Sequence, residues 1–342
     1  MLTSNSLIHM DQHADKKSVS VVIPNYNGRK LLEIYLPYTF KALNNAQIAF
    51  EVVVVDDCST DDSVAYLQQA YPNIVLLQTP INSGFSIACN TGISAAKMEL
   101  ILILNSDVKL SPDYFDHLWT YFNYADTFGV MGRIANMHDD GIQDAARLPK
   151  ASGVKLKVDQ FYYLDEGEKA LTLYLSGANA LIDAKKLKEL GGFNTLFSPF
   201  YGEDMELSLR AWRLNWTCYY EHRAICRHEL SASTKNYKTA RWVKMIYFRN
   251  RYYVHALHLT GARLWLWFLQ VTLIDLIPKI LTGKFWLAKS YVEFLKHLED
   301  IKASKRNFAA LMAQHKSTTT VRDIITKISK SLKGKHITQV DI

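Results

Sequence analysis

Three aspartates stand at or just beyond the ends of apolar runs, where a carboxylate is costly unless it is solvated, paired or bound to a metal. Asp56 and Asp57 follow the run 52–55, and Asp107 follows the run 100–104 after two polar residues. Taken singly, each aspartate is explained as a solvated turn or cap residue. Taken together, they suit a divalent cation with hard oxygen ligands, Mg²⁺ or Mn²⁺, that bridges a diphosphate.

The two commonest phosphate-binding loops are absent from this sequence. No GxGxxG follows the first apolar run, and GxxxxGK[ST] occurs nowhere. Polar clusters at 24–28, 56–59 and 105–107 follow the apolar runs instead. A diphosphate would therefore be held through a cation and carboxylates rather than by a glycine-rich loop.

Four apolar runs alternate with segments of helical periodicity between residues 18 and 110. The runs cover 19–23, 52–55, 74–77 and 100–104, and the helical segments lie near 30–43, 61–70 and 85–97. Continuous apolar runs are typical of parallel strands that are covered on both faces. Because ligands collect at the carboxyl ends of such strands, the pattern predicts an α/β open sheet whose three polar clusters meet at one edge.

The second half of the chain is less regular. A polar stretch at about 133–170 precedes a predicted strand over 173–182. Residues 202–210 predict a helix with Glu203 and Asp204 in its first turn. Acids at this position gain about 0.3–1 kcal/mol each from the helix dipole, which is a sufficient structural reason for an isolated pair.

The charge of the chain changes sign along its length. Residues 1–233 carry 20 Lys and Arg against 27 Asp and Glu, whereas residues 234–342 carry 20 against 6. The basic second part is rich in aromatic residues and indicates an anionic partner, either nucleic acid or an acidic membrane surface. We therefore expect an N-terminal extension (1–17), an α/β domain (18–233) and a basic, aromatic helical module (234–342).

The basic module has the composition of a membrane-surface segment. Lys284, Lys289 and Lys296 alternate with aromatic side chains, as in an amphipathic helix that lies on an anionic membrane. The apolar run 264–274 is bounded by charged residues well short of the roughly 18–20 residues that a membrane span needs. Since no nucleic-acid motif accompanies the charge, we expect membrane docking and no nucleic acid, and helices that only complete the core remain the alternative.

The N-terminus and the cysteines bear on location. Residues 1–17 lack the basic stretch and apolar run of a secretory signal. We therefore expect a cytoplasmic protein, peripheral on the inner face of the cell membrane.

The four cysteines form no CxxC pair and are too few for a disulfide framework, so we expect reduced thiols in packed positions.

A series of motifs occurs in an order that resembles a known family. VSVVIPNYNG, VVVVDDCSTDDS, NSGFSIACNTGISAA and LILILNSDV resemble the nucleotide-sugar-binding half of an inverting family 2 glycosyltransferase of the rhamnosyltransferase-like, bacterial polysaccharide type. LSGANALIDAKKLKELGGFN and FSPFYGEDMELSLRAWRLNW resemble its acceptor-side half. The resemblance covers about residues 18–230 and implies the GT-A fold, an open mixed α/β sheet flanked by helices.

The resemblance also implies a binding site for the sugar donor. The implied donor-binding residues are Pro24, Tyr26, Asn27, Asp56, Asp57, Gly84, Asn90, Ser106 and Asp107. One of the two neighbouring aspartates would accept the ring N–H of the base. Asn90 would donate to sugar or phosphate, and Gly84 would allow a close approach.

A cation site follows from the same resemblance. Asn105-Ser106-Asp107 stands where the family has its DxD metal motif. The first position is Asn, so Asp107 is the only carboxylate left in this motif. His228 matches a His-x-x-Ser-type segment that supplies a second metal ligand or a phosphate contact, and a purely structural histidine is the alternative. We therefore expect Mg²⁺ or Mn²⁺ at Asp107 and His228.

Inversion at an anomeric carbon needs a base for the acceptor hydroxyl and a cation for the departing diphosphate. The resemblance places Asp204 opposite the leaving group as this base, with Glu203 orienting it or binding the acceptor. The predicted function is transfer of one sugar from a nucleotide-diphosphate sugar to a hydroxyl of a glycan or lipid-linked acceptor in cell-surface polysaccharide synthesis.

Two other functions remain open at this point. A nucleotidyltransferase would share the nucleotide-binding sheet and the metal, but its Gly-rich loop with Arg or Lys has only a poor counterpart in residues 24–29. A catalytically silent glycan- or membrane-binding scaffold is compatible with the lost first Asp of the metal motif. Slow metal-dependent hydrolysis of a donor would separate an enzyme from such a scaffold.

Overall fold

The computed structural model describes residues 15–165, 167–229 and 239–340. The strands of its main sheet are β1 (Val19–Asn25), β2 (Phe50–Asp56), β3 (Val75–Gln78), β4 (Leu100–Leu104), β5 (Val108–Leu110), β6 (Thr127–Asn136), β7 (Ile142–Asp144), β10 (Ala170–Leu171), β11 (Asn179–Asp183) and β12 (Thr217–His228). Eight of them lie in the order β10-β12-β6-β11-β4-β1-β2-β3, while β5 pairs with β12 and β7 pairs with β6.

The first half of the sheet is parallel. β1 pairs with β2 and β4, and β2 pairs with β3. The connecting helices are α1 (Arg29–Ala46), α2 (Ser63–Ala70) and α3 (Phe85–Ala95). Helix α3 packs directly on the sheet because Gly92 has no side chain, and a Cβ there would lie 2.4 Å from Cγ1 of Val22. The predicted open α/β sheet is confirmed, with strands at all four apolar runs.

The second half of the sheet is mixed. β11 runs antiparallel to β4 and β6, whereas β12 runs parallel to β6. The strand predicted over 173–182, with a break at Gly177, is regular only after that break, from Asn179. Helices α4 (Ala184–Glu189) and α5 (Glu203–Arg213) follow, and α5 begins at the acidic pair as predicted.

A second sheet lies within the stretch that the sequence marks only as polar. Strands β8 (Ala146–Ser152) and β9 (Lys155–Leu164) form a hairpin, and β13 (Ile337–Val340) pairs with β9. The chain is ordered in this sheet as far as Val340, because β13 is hydrogen-bonded to a strand more than 170 residues earlier in the chain.

The predicted C-terminal helices are present. They are α6 (Ala240–His258), α7 (Gly261–Leu269), α8 (Ile277–Leu281), α9 (Phe285–Lys296), α10 (Leu298–Gln314) and α11 (Val321–Ser331). One hydrophobic core includes Trp212 of α5 as well as Tyr253 of α6, so the helices pack on the sheet domain. The predicted boundary at 233/234 and residues 1–14 of the predicted N-terminal extension lie outside the described residues.

Helix α7, a π-helical segment (Gln270–Leu276) and α8 form one continuous helix, Gly261–Leu281, here called the apolar helix. By length and composition alone it could cross a membrane. The expectation that this apolar segment is too short was wrong, because the helix continues through Asp275. That carboxylate pairs with Lys155 at 2.6 Å, and Gln270 bonds to the hairpin backbone at Ser152 and Val154. Both polar residues therefore face the protein.

The cysteines only partly follow the prediction of packed thiols. Cys89, Cys218 and Cys226 are free and buried, whereas Cys58 is free and exposed. Cys58 lies in the turn after β2 with a φ of +60°. The turn projects from the sheet edge, so this thiol is not part of the core.

Candidate active site

A cavity of about 310 Å³ opens at the carboxyl ends of β1, β2 and β4. The polar clusters after these strands line it together with the start of α5. Its polar wall includes Asn25, Tyr26, Asn27, Asp57, Asn105, Ser106, Asp107, Ser176, Tyr201, Glu203, Asp204 and His228, and Pro24 and Gly84 also line it. Every predicted site residue except Asp56 and Asn90 lies on this wall.

The two neighbouring aspartates differ in what they contact. Asp56 accepts hydrogen bonds from Asn25 Nδ2 at 2.9 Å and from Ser59 Oγ at 2.6 Å, so its carboxylate ties the loops after β1 and β2 together. Asp57 lines the cavity and accepts from the backbone N–H of Ser83 at 3.0 Å and of Gly84 at 2.7 Å. Between the two, the geometry favours Asp57 for a contact with the donor.

Asn27 and Gly84 shape the backbone of the cavity. Asn27 has a φ of +50°, and its side-chain oxygen accepts from the N–H of Thr60 at 2.7 Å. Gly84 has a φ of +87°, and a Cβ there would lie 2.8 Å from Cα of Pro199. The close approach that Gly84 permits is therefore to the chain's own 197–201 loop, to which the N–H of Phe85 donates at the Pro199 oxygen, 3.0 Å away.

Asn90 does not line this cavity, and its predicted role in binding sugar or phosphate stays a prediction. Its side-chain oxygen accepts from the N–H of Phe193 at 2.7 Å, and its Nδ2 donates to the Phe193 oxygen at 2.8 Å. Both polar ends of the amide are thus used in holding α3 to the loop after α4. The sequence could not reveal this partner, which lies more than 100 residues away.

Asp107 and His228 come together at one side of the cavity. Nε2 of His228 lies 3.3 Å from Oδ1 of Asp107, and its Nδ1 lies 3.2 Å from Oε1 of Gln143. Burial lowers the pKa of His228, but the nearby carboxylate of Asp107 outweighs this and raises it above the usual value. The serines of the predicted His-x-x-Ser segment lie outside the described residues.

The Asp107–His228 pair fits a divalent cation. Among the described residues, the buried Oδ1 of Asp107 faces Nε2 of His228 at 3.3 Å but accepts no hydrogen bond of good geometry, and a buried carboxylate oxygen without one is costly. Carboxylate and imidazole are both ligands of Mn²⁺-type ions. Within the described ranges no group of three or more His, Cys, Asp and Glu side chains could hold a metal. These two residues would therefore share a cation with other oxygen ligands, such as those of a diphosphate.

Glu203 and Asp204 lie at the first turn of α5, after Gly202 with its φ of +89°. Oε2 of Glu203 is buried without a hydrogen-bond partner among the described residues. Burial, and secondarily the charge of Asp204, raise the pKa of Glu203. Burial also raises the pKa of Asp204, against the opposing effect of the Arg147 cation and of backbone N–H groups of Met205 and Gly177. The pair thus holds a proton more readily than two solvated carboxylates would.

Sequence reasoning missed two residues that support this pair. Arg147 is buried, pairs with Asp144, and lies over the ring of Tyr174 at 3.9 Å. No pattern in the polar stretch around Arg147 indicates a role for this residue. Asn250 of α6 is buried, and its amide donates to the backbone oxygens of Phe197, Phe200 and Tyr201 at 2.8–2.9 Å.

Comparisons with known proteins agree with this arrangement. The sequence model of the family described as glycosyl transferase family 2 matches residues 20–191, half of the chain. The undecaprenyl-phosphate 4-deoxy-4-formamido-L-arabinose transferase of Pseudomonas savastanoi pv. phaseolicola is 35% identical over 106 residues, which are 30% of this chain and 32% of that protein. The chain spans 29–43% of the length of curated relatives that it matches.

Solved structures show the same fold. The crystal structure of S. aureus TarS 1-349 has a TM-score of 0.52 at 16% identity, over 93% of this chain and 92% of that one. GalNAc-T7 with UDP, GalNAc and Mn²⁺ has a TM-score of 0.56 at 15% identity, over 72% of this chain and 49% of that one. The predicted GT-A fold is confirmed, and with the family match over half of its length the chain belongs to glycosyltransferase family 2.

Proposed function

We propose that this chain is an inverting glycosyltransferase. It transfers one sugar from a nucleotide-diphosphate sugar to a hydroxyl of a glycan or lipid-linked acceptor in cell-surface polysaccharide synthesis. One observation carries the proposal: the Asp107–His228 pair and the Glu203–Asp204 pair line the same cavity. The first pair suits a cation on a diphosphate and the second suits removal of a proton, and displacement at an anomeric carbon uses both.

The proton of the acceptor hydroxyl is taken up by a carboxylate of the chain itself. The acceptor oxygen bonds to the anomeric carbon as the bond from that carbon to the diphosphate breaks, and Asp204 takes the hydroxyl proton. Because burial and Asp204 raise the pKa of Glu203, Glu203 stays protonated and the negative charge resides on Asp204. A cation held by Asp107 and His228 would neutralise the departing diphosphate.

The proposed location is the inner face of the cell membrane. Trp265 and Leu273 on the apolar helix are 73% and 58% exposed, and Lys284 and Lys289 are exposed nearby in sequence. Apolar groups beside cations suit an anionic bilayer surface. The polar contacts of Gln270 and Asp275 attach the apolar helix to the turn of the β8–β9 hairpin, and we propose that the helix lies in the membrane plane rather than crossing the membrane.

A thermal-shift panel of UDP-, GDP- and dTDP-sugars, with and without Mn²⁺, tests donor binding. A donor at 100 times its Kd stabilises a protein by about 2.7 kcal/mol, so one combination should raise the Tm. That donor should then yield nucleoside diphosphate and a sugar of inverted anomeric configuration, read by NMR. Formation of nucleoside triphosphate and sugar 1-phosphate on addition of pyrophosphate would instead identify a nucleotidyltransferase, and stabilisation without turnover would identify a scaffold.

A further inference from the structure

A second cavity, of about 220 Å³, meets the first at the proposed catalytic residues. Tyr201, Glu203 and Asp204 line both cavities. The rest of the second wall comes mainly from the β8–β9 hairpin and helix α6, and it includes Tyr247 and Arg251. The second cavity therefore reaches the proposed base through a different set of residues from those that suit a cation and a nucleotide.

The aromatic side chains of the second cavity suit a sugar ring. Tyr247 is 42% exposed and Tyr201 is 38% exposed, and their rings meet edge to face with centroids 6.1 Å apart. Tyrosine offers an apolar face and a polar hydroxyl, which match the apolar face and the hydroxyls of a pyranose. The cavity is smaller than the roughly 300–1,000 Å³ of typical ligand sites. It therefore suits one unit of a larger acceptor.

Arg251 adds a positive charge to this wall. Its Nη1 donates to the hydroxyl of Tyr247 at 3.4 Å, and its guanidinium lies 5.6 Å from that ring. In the described part of the chain, Arg251 forms no ion pair with a carboxylate, whereas Arg147 and Arg210 each form one. A guanidinium binds phosphate or carboxylate groups through paired N–H donors, so this position suits an anion on the ligand.

The second cavity lies against the apolar helix. His255 lines the cavity and stacks on Trp267 of the apolar helix, with centroids 5.6 Å apart and an angle of 6°. The N–H of Leu156, also on the wall, donates to Nε2 of His255 at 3.1 Å. A ligand at Arg251 is thus one layer of side chains from the helix that we propose to lie on the membrane.

We propose that the second cavity binds the acceptor as an anionic saccharide, with a sugar ring against Tyr247 and the anionic group at Arg251. The nearby apolar helix favours a phosphate that joins a sugar to a lipid over the carboxylate of an acidic sugar. This inference rests on the proposed function, because it names the acceptor for the same pair of carboxylates.

Calorimetric titration with three monosaccharide probes tests the inference. The donor cavity is first filled with Mn²⁺ and the nucleoside diphosphate found in the thermal-shift panel. The probes are glucose 1-phosphate, glucuronic acid and methyl glucoside. Glucose 1-phosphate should bind at least about tenfold more tightly than methyl glucoside, or about 1.4 kcal/mol. Equal or tighter binding of glucuronic acid would identify an acidic sugar as the anion, and equal binding of all three probes would overturn the inference.

Two substitutions separate the anion contact from the ring contact. Arg251→Gln should remove the preference for anionic probes and leave the affinity for methyl glucoside unchanged. Tyr247→Ala should weaken all three probes, and Tyr247→Phe should restore methyl glucoside. Lys244→Gln, at an exposed lysine of the same helix outside the cavity, is the matched control and should change nothing. A preserved anion preference in Arg251→Gln would contradict the assignment.

The inference and the proposed function fail in different ways. Arg251→Gln should retain the thermal shift by the donor, because Arg251 does not line the donor cavity, and should raise the KM for an anionic acceptor. If the parent protein binds no nucleotide sugar, the proposed function fails, and the probes are titrated without nucleotide. If donor binding is normal and the probes do not discriminate, only the acceptor inference fails.

Discussion

The side-chain amide of Asn250 donates a hydrogen bond of 2.8 Å to the carbonyl oxygen of Tyr201, two residues before Glu203. The same amide also holds the carbonyl oxygens of Phe197 and Phe200. Helix α6 thus fixes the loop that leads into the proposed catalytic pair, although it lies beyond the part of the chain that the family sequence model matches. The C-terminal helices are therefore part of the active-site architecture.

Asn250→Ala should lower both stability and turnover. The substitution leaves up to three buried carbonyl oxygens without a donor, and each unsatisfied group costs about 1–3 kcal/mol. Release of the loop should misplace Asp204 and reduce turnover by about 10²-fold, with donor affinity less affected. Denaturant unfolding and steady-state kinetics measure the two effects. The control is Asn45→Ala, at an exposed amide of α1. Normal kinetics in Asn250→Ala would show that the loop keeps its conformation without the hydrogen bonds from Asn250.

Asp107→Ala should abolish metal-dependent donor binding and leave the fold intact. The substitution removes the ion pair with His228 but also a buried carboxylate oxygen that accepts no well-aligned hydrogen bond from the described residues, so the net effect on stability should be small. The Mn²⁺-dependent part of the donor thermal shift should disappear while the Tm without ligand stays within a few degrees. Asp113→Ala, at an exposed position after β5, should retain the shift. A variant at position 107 that binds donor and Mn²⁺ like the parent would exclude Asp107 as a ligand.

Asp204→Asn should keep the donor affinity and lose turnover. Its proposed task arises only when the acceptor hydroxyl attacks, and a general base contributes about 10²–10⁴-fold. Donor Kd and single-turnover rates separate the two steps. Near-normal turnover would leave Asp204 with the helix-dipole role that its position in the first turn of α5 also allows.

Glu203 should make the stability of the protein depend on pH. Burial, and secondarily Asp204, raise its pKa from 4.5 to about 8 in the folded chain. Folding therefore favours the protonated form, so this contribution is fully present below about pH 4.5 and is lost as the pH rises through about 8. Glu203→Gln stays neutral, so its Tm should fall less than that of the parent between about pH 5 and pH 9. Exposed Glu299→Gln is the control, and parallel Tm curves for Glu203→Gln and the parent would contradict this prediction.

The sequence predicts where the residues of the parallel half lie, because those residues follow their strands immediately. Asp57, Ser106 and Asp107 lie where the ends of their apolar runs place them. In the sequence, Asp56 and Asn90 look equally suitable as donor-binding residues. Only the folded chain shows that neither residue lines the cavity, with the Asp56 carboxylate bonded to Ser59 and the Asn90 amide bonded to Phe193.

The remaining differences from prediction have a similar origin. The apolar helix looks interrupted at Asp275 until the chain folds and places Lys155 beside it. The β8–β9 hairpin has no fully apolar run, and its third strand comes from residues 337–340. Local patterns carry no information on such distant pairing, whereas strands β1 to β4 are recognisable because both of their faces are buried.

The apolar helix should bring the protein to anionic membranes. Vesicles of phosphatidylcholine and phosphatidylserine should sediment the protein, and about 0.5 M salt should weaken this by screening. Changing Lys284, Lys289 and Lys296 together to Gln should weaken sedimentation further, since each nearby cation contributes about 1 kcal/mol. Changing Leu269 and Leu273 to Ser should weaken it even at low salt, because both side chains are more than half exposed and would lose apolar contact with the bilayer.

The matched control for charge changes three exposed lysines of the sheet domain together to Gln, namely Lys41, Lys97 and Lys185. A parallel titration with duplex DNA is required because nucleic acid gives a similar salt response, and tight DNA binding without vesicle binding would remove the membrane proposal.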